Sequence, residues 1–135
     1  MQDASRAHRE AVEGATPALH DPRHAAFTEE VKLEPFARAL IAAVRDAGMA
    51  SRVSILSFDW RTLQVVQRIA PEIPTVYLTA QQSWTDNIGA NAPEGSAWTA
   101  GFQHKDHGSV PKMIKAAGGQ FWSVYHGDID VISPL

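Results

Sequence analysis

The chain has 135 residues, 44% of them hydrophobic, which suits one globular domain with a real apolar core. A formal net charge of −3 offers no basic field for nucleic acid or an anionic membrane surface, and the absence of cysteine excludes disulfides and thiolate metal sites. No apolar run reaches the roughly 20 residues of a membrane span, so no transmembrane segment is expected. The first residues lack a basic-then-apolar leader. A soluble, cytoplasmic chain is the expectation, periplasmic or secreted only if an export signal once stood ahead of it.

Residues 1–29 are polar and poorly periodic, and Pro17 and Pro22 interrupt them. They read as a frayed helix or a poorly ordered segment before a domain over 30–135. Pro35, with Glu34 before it, starts a helix that Gly48 stops, the usual placing of these two residues. Phe36, Leu40, Ile41 and Val44 recur at three- and four-residue spacing and predict its packed face. The short apolar run 53–58 predicts a parallel strand covered on both faces. Asp59 follows as an N-cap, Leu63, Val66 and Ile69 form the next helix's stripe, and Pro71 ends it. A second strand is expected over 75–78, completing one βαβ unit.

Residues 79–108 form a long connection holding Trp84, Gly89, Pro93, Gly95, Trp98 and Gly101. A structureless loop of this length is usually a lid or a binding loop. Ser109 is placed to cap a helix over 110–117, closed by Gly118 and Gly119, and a strand over 121–124 follows. The tail from 128 to 135 shows no clear element. Strands alternating with helices argue an α/β parallel sheet.

Several pieces in this order, Ser57-Phe58-Asp59-Trp60, Ala70-Pro71-Glu72-Ile73-Pro74, Tyr77-Leu78-Thr79, His107 to Lys112, Ala116 to Gly119 and Phe121-Trp122-Ser123, resemble the glycerophosphodiester phosphodiesterase family of bacteria. The resemblance runs from Phe36 to about Asp130, roughly the central third of the family's barrel. It implies a partial (β/α) TIM-type barrel of about three to four β/α units with parallel strands. It also implies metal-dependent hydrolysis of a glycerophosphodiester to an alcohol and glycerol 3-phosphate in lipid metabolism, with Ca²⁺ or Mg²⁺. Phe27 to Lys32 looks like the family's Glu-Ile-Lys strand, which would put Glu30 on the metal and Lys32 near the phosphate. The other reading of Glu30 and Lys32 is an exposed charged turn before a helix. The family's His-Arg-Gly motif, which carries its first catalytic histidine, does not occur; His8-Arg9-Glu10 lacks the glycine. The chain alone is therefore expected to be inactive. The alternative is a non-catalytic truncated barrel fragment, an interaction or oligomerising module that self-associates or pairs with a complementary fragment.

Read from its position at a strand's end alone, Phe58 either borders a substrate or packs in the core. Trp84 and Trp98 either line a lid over a glycerol moiety or anchor the long loop. His104, Asp106 and His107 have metal-ligand chemistry, yet read better as solvated loop residues. His126-Gly127-Asp128 sits just past a strand end, where β/α proteins put their chemistry, and Asp128 reads as a cap of the next turn. Trp60 and Trp122 read as packing residues. Ser57 has no Gly-x-Ser-x-Gly elbow to make it a nucleophile.

Overall fold

The computed structural model describes residues 33–129, so Glu30, Lys32, the segment 1–29 and the last six residues lie outside the described part. The chain divides into two units, Met1–Pro35 and Phe36–Leu135. The second holds the architecture below, and of the first only the start of one helix, Leu33–Pro35, is described.

That helix, α1, spans Leu33–Asp46, beginning two residues before the proline. It buries Ala37 and Ile41, with Leu40 and Val44 half-covered. Phe36, expected on the packed face, is 62% exposed. Successive residues step about 100° around a helix, and the buried arc here is centred on Ala37 and Ile41, which leaves Phe36 off its edge. Gly48 follows with φ +65°, the left-handed stop that glycine adopts at little cost. Arg45 reaches across to Glu72, its Nε donating to Oε1 at 2.7 Å, and also donates to the Ile69 carbonyl. Glu72's own backbone amide, and then Arg45, hold its carboxyl below the ordinary range. This latch is present at neutral pH and weakens as acid protonates Glu72.

Strand β1 (Ile55–Ser57) leads into helix α2 (Trp60–Ile69) and then strand β2 (Thr75–Thr79). Asp59 caps α2 as expected, accepting from the Arg61 amide at 3.1 Å. Helix α2 turns Trp60, Thr62, Leu63 and Val66 inward. The connection over 79–108 is not structureless. It holds a two-stranded hairpin, β3 (Gln81–Gln82) and β4 (Thr85–Asp86), a 3₁₀ turn Ala97–Thr99, and the four-residue helix α3 (His104–His107). Helix α4 (Val110–Ala116), strand β5 (Phe121–Val124) and a 3₁₀ turn His126–Asp128 complete the described chain. Ser109 occupies the N-cap of α4, but its hydroxyl makes no capping bond.

The main sheet has three strands in the order β1-β2-β5, all parallel. It is α/β, and it is open: three strands do not close into a barrel. Register places Leu56, Val76 and Phe121 in one row and Ser57, Tyr77 and Trp122 in the next, on opposite faces. The second face is the packed one. Tyr77 meets Trp60 edge-on at 5.0 Å, and Leu63, Val66, Met113 and Ile114 join the same buried cluster. On the other face Leu56 and Phe121 are more than half exposed, although a parallel sheet is normally covered on both sides.

A polar knot lies inside the packed face. The Tyr77 hydroxyl donates to Gln67 Oε1 at 2.5 Å and accepts from Gln64 Nε2 at 2.8 Å. Both glutamine amides also donate to the Ala117 carbonyl, at 2.7 and 3.0 Å. Helix α2, strand β2 and the end of α4 are thus joined through one phenol. The two glycines that follow Ala117 have separate tasks. Gly118 takes φ +80°, while a side chain on Gly119 would lie 2.6 Å from Ile114 Cγ2 and 2.8 Å from the Tyr77 ring.

Burial raises the Tyr77 pKa, only partly offset by the two glutamines. Neutral Tyr77 therefore supports the fold below about pH 10, and that support is lost as pH rises further. Tyr77→Phe is expected to cost about 1–2 kcal/mol in urea melts at pH 7, since a network is left half-paired. The variant should also lose part of the wild-type decline above pH 10. A variant with wild-type stability and an unchanged alkaline limb would show that the knot contributes nothing.

Candidate functional site

Ligand sites in parallel β/α sheets gather at the carboxyl ends of the strands, where the loops converge. In this sheet that edge is formed by Phe58 and Asp59 after β1, the hairpin after β2, and Tyr125 to Asp128 after β5. The opposite, amino-terminal edge carries a shallow open pocket lined by Gln67, Pro71, Ile73, Pro74 and Thr75, with Gly118 and Gln120. It is lined by turn residues and the ends of packed elements, with no charged side chain.

At the carboxyl edge the strand-end backbone is tied down by buried side chains. Asn87, 5% exposed, donates from Nδ2 to the Phe58 carbonyl at 2.9 Å and to the Leu78 carbonyl at 3.0 Å. Its Oδ1 accepts from the Ala80 amide at 2.9 Å. One carboxamide thus satisfies the ends of both β1 and β2 and pins the loop that follows β2. Asp128 does the same work beside β5. It is 1% exposed, accepts from the Gln81 amide at 2.9 Å, and takes a second, very short hydrogen bond from the Gln82 side chain. It was expected to cap the next turn; instead it clamps the hairpin, because its 3₁₀ turn ends facing β3. The Tyr125 amide donates to the Thr79 carbonyl at 2.9 Å and closes the same corner.

The side chains left at the surface are mostly aromatic. Trp84, at the hairpin turn, is 60% exposed and meets Tyr125 edge-to-face, 5.4 Å between centroids at 83°. Tyr125 in turn lies 4.4 Å from the His126 ring. Phe58 is 42% exposed, so it borders the edge and does not fill the core. Asp59 and Arg61 form a forked ion pair, Nε to Oδ1 at 2.8 Å and a terminal nitrogen to Oδ2 at 2.7 Å. The Ser57 hydroxyl accepts from the Asp59 amide at 3.0 Å, a turn-forming role.

Of the expected substrate-contacting residues, Phe58 and Trp84 are brought to this edge. Trp98 lies in a 3₁₀ turn, capped by Ser96, that packs on helix α2. Lys32 and the expected metal ligand Glu30 fall outside the described residues. His104 and His107 lie at the two ends of the short helix α3, and His107 rests near the Phe102 ring. Among the described residues no group of three or more His, Asp or Glu could hold a metal ion. The described residues therefore do not by themselves fit a divalent ion. Among them, too, no helix is long and apolar enough to cross a membrane.

Asn87, Tyr125 and Gln82 contribute to this edge without being singled out by the sequence. Asn87 carries a weak sequence signal, an Asp-Asn pair a few residues after a strand with a glycine two residues on, the composition of a turn. Tyr125 and Gln82 carry none beyond their nearness to strand ends.

Compared with protein-family models, with curated proteins and with solved structures, the chain matches none.

Replacing Asn87 with Ala strands two buried carbonyls and an amide at once. Asn87→Ala is expected to destabilise by about 3 kcal/mol in urea denaturation, and Asn87→Asp similarly, since a carboxylate cannot donate to Phe58 and Leu78. A loss under about 0.5 kcal/mol for both would mean that water replaces this side chain freely.

Proposed function

We propose that the chain is a β/α-barrel segment of glycerophosphodiester phosphodiesterase type. Its carboxyl edge contacts the substrate, and the reaction it serves yields an alcohol and glycerol 3-phosphate. The observation that carries this reading is positional. Ser57 to Trp60, Tyr77 to Thr79 and Phe121 to Ser123, the residues of the resemblance, lie on or just after three parallel strands of one sheet. Strand order also follows chain order, β1-β2-β5. That is the order of a singly wound barrel wall, with no reversal such as a doubly wound sheet has at its switch point. The bulky row Leu56, Val76 and Phe121 on the uncovered face is what a barrel interior requires.

No group among the described residues at this edge is arranged to shuttle a proton, since His126 meets only Tyr125 and the Asp128 carboxylate is occupied on both oxygens. The chain alone binds its substrate and does not turn it over. A second reading rests on the same uncovered face. With Leu56 54% and Phe121 52% exposed, the chain is an interaction module that covers this face with another polypeptide.

One experiment separates the two. Glycerophosphocholine is titrated into the purified chain with added Ca²⁺ or Mg²⁺, while glycerol 3-phosphate release and sedimentation are followed. Saturable binding by a monomer, with release no faster than in buffer, is the outcome expected. Absence of binding together with concentration-dependent association, relieved by Leu56→Lys, would replace the first reading with the second. Steady, chelator-sensitive release would show that proton-transfer groups are present after all.

A further inference from the structure

We propose that Trp84, Tyr125 and His126 form a subsite for an organic cation, an ammonium or trimethylammonium group. This rests on the phosphodiester reading only in naming that cation as the headgroup of the ligand; recognition of the cation stands on the geometry alone.

Two aromatic rings at 83° with centroids 5.4 Å apart make a corner, and a π-face is negative at its centre. Trp84 is 60% exposed, so its indole is open to a ligand and is not spent on the core. The His126 ring, 4.4 Å from Tyr125, extends the aromatic wall. Gly127 makes room for the Tyr125 ring: a side chain there would fall 2.7 Å from Tyr125 Cε1. The corner is also built before any ligand arrives. Asp128 clamps Gln81 and Gln82, and the Tyr125 amide is bonded to Thr79. Rigid placing of this kind reduces the ordering cost of binding.

Charge selects the ligand's sign. Residues 81–86 and 125–128 contain no Lys or Arg, and they contain Asp86 and Asp128. Asp86 turns one oxygen to the Ile88 and Gly89 amides, and Asp128 is buried, so both hold negative charge near the corner without blocking it. A phosphate would find no fixed positive partner in these two segments. A quaternary ammonium finds the open indole of Trp84 beside the Tyr125 and His126 rings, with two carboxylates in the same segments, an arrangement that attracts such groups.

The test titrates choline chloride and tetramethylammonium chloride into the full chain, following the indole N–H signals by NMR. Sodium chloride controls for ionic strength, and 3,3-dimethylbutanol serves as the neutral isostere of choline. The expected result is saturable movement of the Trp84 signal by both cations and far less by the isostere. Trp84→Leu and Tyr125→Leu should each weaken the cations by about 3- to 30-fold, read on the remaining indoles and on His126, with unchanged thermal melts. Equal binding of the neutral isostere, no saturation by about 100 mM, or wild-type affinity in both leucine variants would overturn the proposal. Glycerol 3-phosphate is titrated in parallel. Cation binding without glycerol 3-phosphate binding keeps the subsite and removes the phosphodiester reading. Glycerol 3-phosphate binding without cation binding does the reverse.

Discussion

The carboxyl edge of this sheet depends on how its last backbone groups are paired. A parallel strand that ends in a turn leaves carbonyls and amides with no ladder partner, and burying them unpaired costs about 1–3 kcal/mol each. Asn87 meets three of them with one carboxamide, and Asp128 meets the first amide of the hairpin. Both side chains come from outside the strands they serve. The long connection after β2 is therefore held near its start by polar side chains, in addition to the apolar packing of Ile88 in the core. Everything displayed there, Phe58, Trp84 and Tyr125, takes its position from those few bonds.

The packed face repeats the theme with a different group. Tyr77 is the central residue of β2, with its ring against Trp60 and its hydroxyl among Gln64, Gln67 and the end of α4. Apolar burial fixes where α2 and α4 lie, and the phenol fixes which carbonyl they present. Such a network stabilises one arrangement only when every member is paired, which is why Gly119 must leave room for the ring. The other face of the sheet has no comparable organisation among the described residues. Its apolar row suits a closed barrel or a partner's surface, and these two readings of the protein separate on that row.

Legibility in the sequence followed the physical signal. The strands and the helices between them were readable because apolar runs, an Asp cap and a proline stop all coincide around 53–78. The helix face was misjudged at Phe36, since a four-residue apolar spacing fits more than one arc and small Ala37 gives little hydrophobic signal while being fully buried. The hairpin escaped because two-residue strands of Gln, Thr and Asp show no alternation. The site was half legible. Exposed aromatics near strand ends stand out, which makes Phe58 and Trp84 legible as residues of this edge. Asn87 and Asp128 are buried polar residues, and apolar patterning gives them no mark.

The central claim is that side chains, not solvent, complete the backbone at the carboxyl edge. Native-state hydrogen exchange of the Ala80 and Gln81 amides tests it directly, because their acceptors are Asn87 Oδ1 and Asp128 Oδ2. Both are expected to exchange only with opening of the sheet, at rates close to those of the β2 amides and far slower than Ser83 at the hairpin turn. Exchange of Ala80 and Gln81 as fast as Ser83, with β2 still protected, would contradict it.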